Sequence, residues 1–438
     1  MSFEIKLKEG KILATIYEKI PHDITKKYVF VGYYFGKVYS DLIRVANGEL
    51  ILNEIIKQDV YSSAEIIDEI LDGYYLLVIR KDDEYILLRD PIGFLATYMF
   101  ELNNEIVLKD RRIYTFNNKL MYGFRYHPCY ILSRKRGLKS FKITYNLHKL
   151  FYSAVDTKSI LNDINEVSSY LAKYYQSRLE NILKGYRREV YVSYSGGLDS
   201  SVVLKLLVDM GLEVVAIFLT KRVGENNSAL KLIKQLGVDY IVVTRPDVKK
   251  ATKDIDLVLE ITEDNTPMNI SLALAQYWVF KEVPQGRILA LGQGADEVFG
   301  GYQKFVEILK EGGYDALRDE IHKVLLFSYL VNFEREWKLA YSSNIRLIYP
   351  LISPGVTYIV HHTPLKFLVE NQNDEMRKHI LRHIARKLNL PRDIYLAKKK
   401  SLQYVSGSMD ILRKIAKKHG LKPYQYLQER YRYIIKYS

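Results

Sequence analysis

The sequence contains very little cysteine, with one residue, Cys129, among 438. A single thiol excludes an internal disulfide and a zinc site built from cysteines. The sequence also lacks any apolar run of the roughly 18 residues that a membrane-spanning helix needs. Its first residues, MSFEIKLKEGK, are charged where a signal peptide would be apolar. We therefore expect a cytoplasmic protein with no membrane partner.

Basic residues outnumber acidic ones, giving a formal net charge of +14. Such a charge would suit a nucleic-acid partner. The lysines and arginines, however, are spread along the chain rather than grouped in blocks, apart from the short runs 134–136 and 398–400. A solvated basic surface, part of it facing an anionic nucleotide, is therefore favoured over nucleic-acid binding.

The pattern of the chain changes near residue 160, which divides it into two predicted domains, 1–160 and 161–438. The first is rich in strands and hairpins, including a hairpin in YYLLVIRKDDEYILLRD. In the second, the β-rich runs EVYVSYS, EVVAIFLT, DYIVVT and RILALG alternate with helical patterns. This alternation predicts an α/β fold with a doubly wound parallel sheet and a helical C-terminal part, preceded by a mainly β domain.

A glycine-rich loop, SGGLDSS, follows the first run of this predicted sheet. A helix N-terminus offers unpaired N–H groups to a phosphate, and glycines let the backbone approach it closely. A carboxylate in such a loop suggests Mg²⁺ as an intermediary. The alternative is a strand-to-helix turn with serine capping. The candidate phosphate-binding residues are Ser195, Gly196, Gly197, Asp199, Ser200 and Ser201, with Asp199 also a metal ligand.

A second glycine-rich motif, GQGADEVFGGY, follows the run RILAL about a hundred residues later. The first loop resembles the PP-loop of ATP pyrophosphatases, and the two motifs in this order resemble the synthetase domain of asparagine synthetases and their β-lactam synthetase relatives. The resemblance implies an adenine nucleotide α-hydrolase-like domain with ATP and Mg²⁺ as cofactors. It makes Gly292 and Gly294 cofactor-binding and Asp296 a second metal ligand.

The segment EMRKHILRHIARKLNLPRDIYLAKKKSLQYVSG is similar to the last conserved part of this family. By this resemblance Lys378 and Arg382 lie on a helix and Lys400 takes the catalytic place, where an ammonium would stabilise developing negative charge. The residue-level alternative for Lys400 is a solvated lysine cluster. Glu263, Asp264 and Asn269 occupy the region of the family's amino-acid pocket, although helix capping accounts for them equally well.

The first domain is similar to an N-terminal-nucleophile (Ntn) glutaminase that has lost its nucleophile. Asp72-Gly73, the run from Arg89 to Gly93, and Tyr98 match that domain, but position 2 is Ser2 instead of cysteine. A serine needs an activating base where a thiol does not. The domain is therefore expected to be a degenerate, Ntn-hydrolase-like α+β glutamine amidotransferase domain.

Two positions of the second domain also depart from the family pattern. Gln293 stands where a catalytic acid is often found, and it remains the candidate at that position although a neutral amide cannot deprotonate an amine. Ser353 replaces an acid in the stretch YPLIS. Both changes weaken the expectation of asparagine as product more than that of ATP binding.

These features together predict an ATP-dependent amide ligase of asparagine synthetase type. It would form an acyl-adenylate, aspartyl-AMP by resemblance, with release of pyrophosphate, and then transfer ammonia or another amine without a glutaminase of its own. A homodimer and a separate glutaminase are partners that the resemblance allows. The alternatives are a PP-loop RNA-modifying enzyme and a catalytically impaired nucleotide-binding or regulatory homologue.

Overall fold

The computed structural model describes most of residues 3–36, 71–140 and 161–437, and it leaves out 37–70, 141–160 and shorter segments such as 123–128, 222–227 and 399–405. The chain divides into two compact units. One consists of Met1–Val155 and Asn332–Trp337, and the other of Asp156–Val331 and Lys338–Ser438. The sequence did not predict that residues 332–337 belong to the first unit. The identity of that unit as a glutaminase-like domain stays a prediction.

The described residues of the first unit form mainly β-strands, which pair antiparallel. They form sheets of the orders β2-β1-β8-β7, β10-β9 and β12-β11-β6-β5-β4-β3. The predicted hairpin is confirmed, because β5 and β6 pair with Lys81 opposite Glu84. The strands are β1 (Phe3–Lys8), β2 (Lys11–Ile16), β3 (His22–Ile24), β4 (Tyr28–Gly36), β5 (Leu71–Lys81), β6 (Glu84–Arg89), β7 (Tyr98–Leu102), β8 (Glu105–Lys109), β9 (Ile113–Phe116), β10 (Lys119–Tyr122), β11 (Cys129–Ser133) and β12 (Gly137–Ser140).

Residues 332–337 join the first unit through aromatic and polar contacts within it. The ring of Phe94 meets that of Phe333 edge-on, with centroids 4.7 Å apart. The Tyr98 hydroxyl donates to Glu334. Asp90, fully buried, accepts from the N–H groups of Phe94 and Gly93, so it fixes the turn that carries Phe94. These contacts give the motif from Arg89 to Tyr98 a structural role.

The second unit contains the predicted parallel sheet, in the order β15-β14-β13-β16-β17. The four predicted strands are confirmed, whereas the fifth, β17, was missed within a region expected to be mostly helical. The strands are β13 (Val190–Tyr194), β14 (Val214–Thr220), β15 (Asp239–Thr244), β16 (Ile288–Ala290) and β17 (Arg346–Ile348).

Helices connect and cover these strands, as the alternating pattern predicted. The first, α1, begins at Ile164 because Asp163 caps it by accepting from the N–H groups of Asn165 and Glu166. The helices of the described residues are α1 (Ile164–Ile182), α2 (Leu198–Asp209), α3 (Ser228–Gln235), α4 (Val248–Thr262), α5 (Pro267–Phe280), α6 (Ala295–Val298), α7 (Gln303–Phe327), α8 (Asn332–Ser342), α9 (Pro354–His361), α10 (His379–Lys387), α11 (Arg392–Tyr395), α12 (Ser408–Lys418) and α13 (Pro423–Tyr437). Within the described part of the chain, none of the helices has the length and apolar character needed to cross a bilayer.

The strand order places the two glycine-rich motifs side by side. From β13 the sheet grows one way through β14 and the other way through β16, so the strand order reverses between β13 and β16. In open α/β sheets, ligands bind beyond the carboxyl ends of the strands at such a reversal. The loop SGGLDSS follows β13 and the motif GQGADE follows β16. Both motifs therefore lie at the ligand-binding position of the fold.

Candidate functional site

The loop after β13 is held in shape by its own serines. Gly196 has φ of +76°, a left-handed conformation that glycine adopts without strain. The N–H of Ser195 donates to Ser200 Oγ at 3.1 Å, and the N–H of Gly197 donates to Ser195 Oγ at 3.3 Å. Some of the loop amides are thus already used internally.

The remaining amides are those at the start of α2. The N–H of Ser201 completes the first helical hydrogen bond, to the carbonyl of Gly197 at 3.0 Å. No hydrogen bond is found for the N–H groups of Gly196, Leu198, Asp199 and Ser200 within the described residues. Such groups at a helix N-terminus can bind an anion. Ser201 itself is fully buried, and its hydroxyl donates to Tyr194 at 3.5 Å, so it faces the strand.

The second motif packs directly against the first. A Cβ on Gly292 would lie 3.0 Å from Asp199 Cβ and 3.1 Å from the backbone nitrogen of Ser200. Only a glycine therefore lets the two loops approach this closely. Gly294 has φ of +92° and precedes α6, and a Cβ there would collide with Ile352. Gly292 of the second motif thus lies against Asp199 and Ser200 of the first, whereas Gly294 packs on Ile352.

Asp199 and Asp296 converge, as their predicted shared role requires, but the cation between them is an ammonium. Lys378 Nζ lies 2.7 Å from Asp199 Oδ1 and 2.6 Å from Asp296 Oδ1. Burial of Lys378, which is 4% exposed, would by itself lower the pKa of its ammonium. The two carboxylates outweigh this effect and raise the pKa above its ordinary value.

The same carboxylates fit Mg²⁺ only in part. In nucleotide-dependent sites Mg²⁺ is held by one or two carboxylates together with substrate phosphates, and Asp199 and Asp296 supply such a pair. Among the residues that the structure describes, no group of three or more His, Cys, Asp or Glu side chains could hold a metal by itself. The donor set therefore suits a metal that arrives with a nucleotide. The assignment of both aspartates as ligands stays a prediction.

Lys378 is placed by an unusual turn. Arg377 and Lys378 have φ of 51° and 55°, and left-handed backbone of this kind disfavours residues with a Cβ by roughly 1–2 kcal/mol each. Asp374 stabilises the turn by accepting from the N–H groups of Met376 and Arg377, each at 2.9 Å. The sequence placed Lys378 on the helix, but it is the residue just before α10. Backbone strain of this type is found at functional sites.

Arg382, the other residue expected on this helix, lies on α10 and is buried. Its guanidinium donates to the backbone carbonyls of Met376, Arg377, Tyr395 and Ala397. These bonds connect the turn before α10 to the segment that follows it. The geometry gives Arg382 a structural role close to Lys378.

Gln293 is bound to the acidic side chain of the same motif. Its Nε2 donates to Glu297 Oε1 at 3.0 Å, and the hydroxyl of Tyr302 donates to the same oxygen at 2.7 Å. Glu297 is fully buried. The amide of Gln293 is thus oriented by a carboxylate, and its catalytic role stays a prediction.

Several other predicted residues lie elsewhere or have other partners. Lys400 and Ser2 lie outside the described residues. Asp264 accepts from the N–H of Thr266 at 2.7 Å and from Asn269 Nδ2 at 2.7 Å, which favours the capping interpretation of this segment. Glu263 forms a buried ion pair with Lys338 at 2.6 Å. These three contacts account for both acids of the segment without an amino-acid ligand.

Ser353, where the family pattern has an acid, is fully buried. Its Oγ accepts from the N–H of Val356 at 3.2 Å, which caps α9. It also lies 3.3 Å from the hydroxyl of Tyr174. Ser353 thus starts a helix at the carboxyl end of β17.

Sequence reasoning missed Gly301 as a functional position. A Cβ at Gly301 would lie under 3.0 Å from both Asp296 Oδ1 and Lys378 Cε. Its φ is not left-handed, so space for the ion pair, and not backbone conformation, accounts for the glycine. The only signal in the sequence was the doubled glycine 300–301, which does not identify its partner.

Comparison with known proteins agrees with the two motifs. Residues 187–345 match the family model described as asparagine synthase. This part of the chain is similar to asparagine synthases. "Putative asparagine synthetase [glutamine-hydrolyzing] 1" of Methanocaldococcus jannaschii is 27% identical over 299 residues, covering 59% of this chain and 54% of that protein. The resemblance to the asparagine synthetase family that the motifs predicted is therefore confirmed.

The chain is also similar to two other kinds of protein. The 7-cyano-7-deazaguanine synthase of Methanocaldococcus jannaschii is 32% identical over 32% of this chain and 63% of its own length. The tRNA-specific 2-thiouridylase MnmA 1 of Fusobacterium nucleatum is 30% identical over 38% of this chain and 42% of its own length. The chain spans about half the length of the curated relatives it matches.

Among solved structures, the NMN synthetase of Francisella tularensis is 16% identical over 62% of this chain and 92% of that chain, with a TM-score of 0.31. The ammonia-dependent NAD synthetase of Campylobacter jejuni is 15% identical over 41% of this chain and 95% of that chain, with a TM-score of 0.25. At these scores the α/β fold class rests on the strand order itself.

Proposed function

We propose that this protein is an ATP-dependent amide ligase of asparagine synthetase type that produces AMP and pyrophosphate. The observation that carries the proposal is the meeting of the two motifs at the reversal of the strand order. There Gly292 packs on Asp199, and Asp199 and Asp296 converge on one point. Unpaired N–H groups and paired carboxylates in one place suit a metal-bound polyphosphate.

In this proposal the start of α2 holds the phosphates that leave as pyrophosphate. The N–H groups of Leu198, Asp199 and Ser200 would donate to phosphate oxygens, and the dipole of the 12-residue helix would favour their charge. The hydroxyls of Ser195 and Ser200, 3.1 Å apart, can exchange their mutual bond for a phosphate oxygen. Gly292 and Gly294 would leave room for the nucleotide.

Asp199 and Asp296 would hold Mg²⁺, which when bound neutralises phosphate charge. The substrate carboxylate, aspartate by family resemblance, would attack the α-phosphorus, forming an acyl-adenylate as the bond to pyrophosphate breaks. Ammonia or another amine would then attack the acyl carbon and displace AMP. The protein's contribution is to align these groups and to stabilise the developing charge, the role that we propose for Lys400.

Gln293 cannot remove a proton from an amine, because a neutral amide is not a base. Bound to Glu297, it would instead orient the substrate by hydrogen bonds. The amine would therefore be used in its unprotonated form. Free ammonia or a separate glutaminase would supply it, in keeping with the predicted loss of glutaminase activity in the first domain.

The test is pyrophosphate release from ATP with a panel of amino acids, each with ammonia or with glutamine. We expect release with aspartate and ammonia, and a loss of at least about a hundredfold in Asp199→Asn, the scale typical of removing one transition-state contact. Asp209→Asn is the matched control, because Asp209 ends the same helix and pairs only with Lys205 among the ion pairs of the described residues. Equal rates for both variants, or turnover with glutamine alone, would contradict the proposal.

RNA modification is a second candidate, favoured by the net charge of +14 and by the similarity to a tRNA thiouridylase. One cysteine argues against thiolation, which in this group of enzymes normally uses a pair. Salt-sensitive co-purification of the chain with tRNA would support this candidate. ATP binding without pyrophosphate release under any condition would instead indicate a regulatory homologue.

A further inference from the structure

The ammonium of Lys378 lies at the point where two predicted metal ligands meet. Its Nζ is 2.7 Å from each oxygen of Asp199 and 2.6 Å from Asp296 Oδ1. A cation bound by both carboxylates would have to lie in this same space. Lys378 and a divalent metal therefore cannot occupy the position together.

Three independent features keep the ammonium there. The left-handed turn of Arg377 and Lys378 aims the side chain, and Asp374 stabilises that turn. Gly301 leaves the space that Lys378 Cε fills. Arg377 Nε donates to the carbonyl of Gly301 at 3.1 Å, which fixes the turn to the second motif. The chain thus uses a strained backbone and a glycine to position one lysine.

Without a nucleotide, the protein supplies only a few ligands to a metal at this position. Asp199 and Asp296 are two ligands, and the described residues contain no larger acidic or histidine cluster. Mg²⁺ needs octahedral coordination, so phosphate oxygens or waters must provide the rest. The nucleotide-free site is therefore better neutralised by a covalently attached ammonium than by a free ion.

We propose that Lys378 is the resident counter-ion of the nucleotide-free site, and that a divalent metal enters only as a complex with the nucleotide, displacing the ammonium from Asp199 and Asp296. The inference rests on the proposed function, since it takes the nucleotide to be the ligand. It adds an order of events: the free metal is excluded and the metal–nucleotide complex is accepted. The site then cannot be blocked by free Mg²⁺.

The test is Mn²⁺ binding to the nucleotide-free protein, measured by electron paramagnetic resonance of the free ion. Wild type should bind no stoichiometric Mn²⁺ at this site, whereas Lys378→Met should bind one Mn²⁺ per chain at least tenfold more tightly. Lys205→Met is the control, since it removes an ammonium from a single carboxylate, Asp209, and should create no site. Equal Mn²⁺ affinity in wild type and Lys378→Met would overturn the proposal.

A second variant guards against misfolding of the first. Gly301→Ala should push the Lys378 side chain away from Asp296 and also open the site to Mn²⁺, with circular dichroism as the check on folding. Wild type should take up Mn²⁺ once α,β-methylene-ATP is added. Absence of nucleotide-dependent uptake would count against the proposed function, whereas a site gained by Lys378→Met without nucleotide would still support the ammonium as counter-ion.

Discussion

Gly301→Ala should destabilise the second unit, although glycine-to-alanine changes in compatible backbone usually stabilise. The usual gain is about 0.4–1 kcal/mol, because alanine reduces the freedom of the unfolded chain. Gly301 does not have left-handed φ, so its backbone is not the obstacle. The obstacle is space, since the new methyl group would lie under 3.0 Å from Asp296 Oδ1 and Lys378 Cε.

The size of the effect follows from which atoms can move. Lys378 Cε lies near the end of a flexible side chain, so the steric clash itself is relieved at low cost. When the Lys378 side chain moves to relieve this clash, its ammonium moves away from Asp296. Breaking a buried ion pair of this kind costs roughly 3–5 kcal/mol. The carboxylates are 27% and 19% exposed, so water offsets part of this loss and we take the lower end of the range. After the entropic gain, the net destabilisation is about 2 kcal/mol.

Urea unfolding followed by tryptophan fluorescence measures this value. The chain has two tryptophans, so a Trp337→Phe background leaves Trp278, which is fully buried in the second unit, as the reporter. Lys378→Ala provides the control: with the long side chain gone, adding Gly301→Ala should cost at least about 1 kcal/mol less than in the parent. A Gly301→Ala protein as stable as its parent, or equal costs in both backgrounds, would refute the reasoning.

Two further changes test the site and the fold. Gly292→Ala should weaken ATP binding about tenfold, equivalent to about 1.4 kcal/mol, because the added methyl group would press on the backbone of Ser200. Isothermal titration calorimetry measures the affinity. An unchanged affinity would contradict the close approach of the two loops. Burial lowers the pKa of His361 to about 3. His322, whose ring centroid is 5.1 Å from that of His361, contributes a smaller effect in the same direction. The unfolded chain protonates this group below its ordinary pKa of 6.5 while the folded chain does not, so stability falls as pH falls from 6.5 towards 3. At pH 5 the loss is about 2 kcal/mol, and His361→Phe should reduce the difference in urea midpoint between pH 7 and pH 5.

The parallel sheet was predictable because its strands are continuous apolar runs between helical patterns. Val190 and Val192 in β13, and Leu289 in β16, are fully buried, as expected for a sheet covered on both faces. The loop SGGLDSS was equally predictable, since glycines and hydroxyl side chains directly after such a strand are typical of a backbone that approaches an anion. Strand β17 was missed because it has three residues, begins with an arginine and lies among helices. Short strands at the side of a sheet depend on their neighbour for definition more than on their own pattern.

The residues of the candidate site that lie in recognisable sequence motifs were predictable. Asp199 was predicted as a metal ligand from its place in a phosphate-binding loop, and Asp296 from the family resemblance. Nothing in the chain between them shows that Lys378, 82 residues after Asp296 by its number, would supply that cation. The family resemblance placed it on a helix, whereas it is the residue just before α10. Its actual direction depends on two left-handed residues, and non-glycine residues in this conformation leave no reliable signal in a sequence.

The properties of the ion pair bear on what the protein needs before it can bind a nucleotide. An ammonium already between the carboxylates removes the repulsion that would otherwise separate Asp199 from Asp296, so the two loops can pack through Gly292 without a metal. A site arranged in this way is formed before its ligand arrives, and less binding free energy is then spent on ordering it. The requirement is that the ammonium can leave: its two partners are partly exposed, and Lys378 has a long flexible chain. A lysine is therefore better suited to this position than an arginine, whose planar guanidinium would hold both carboxylates in a fixed geometry.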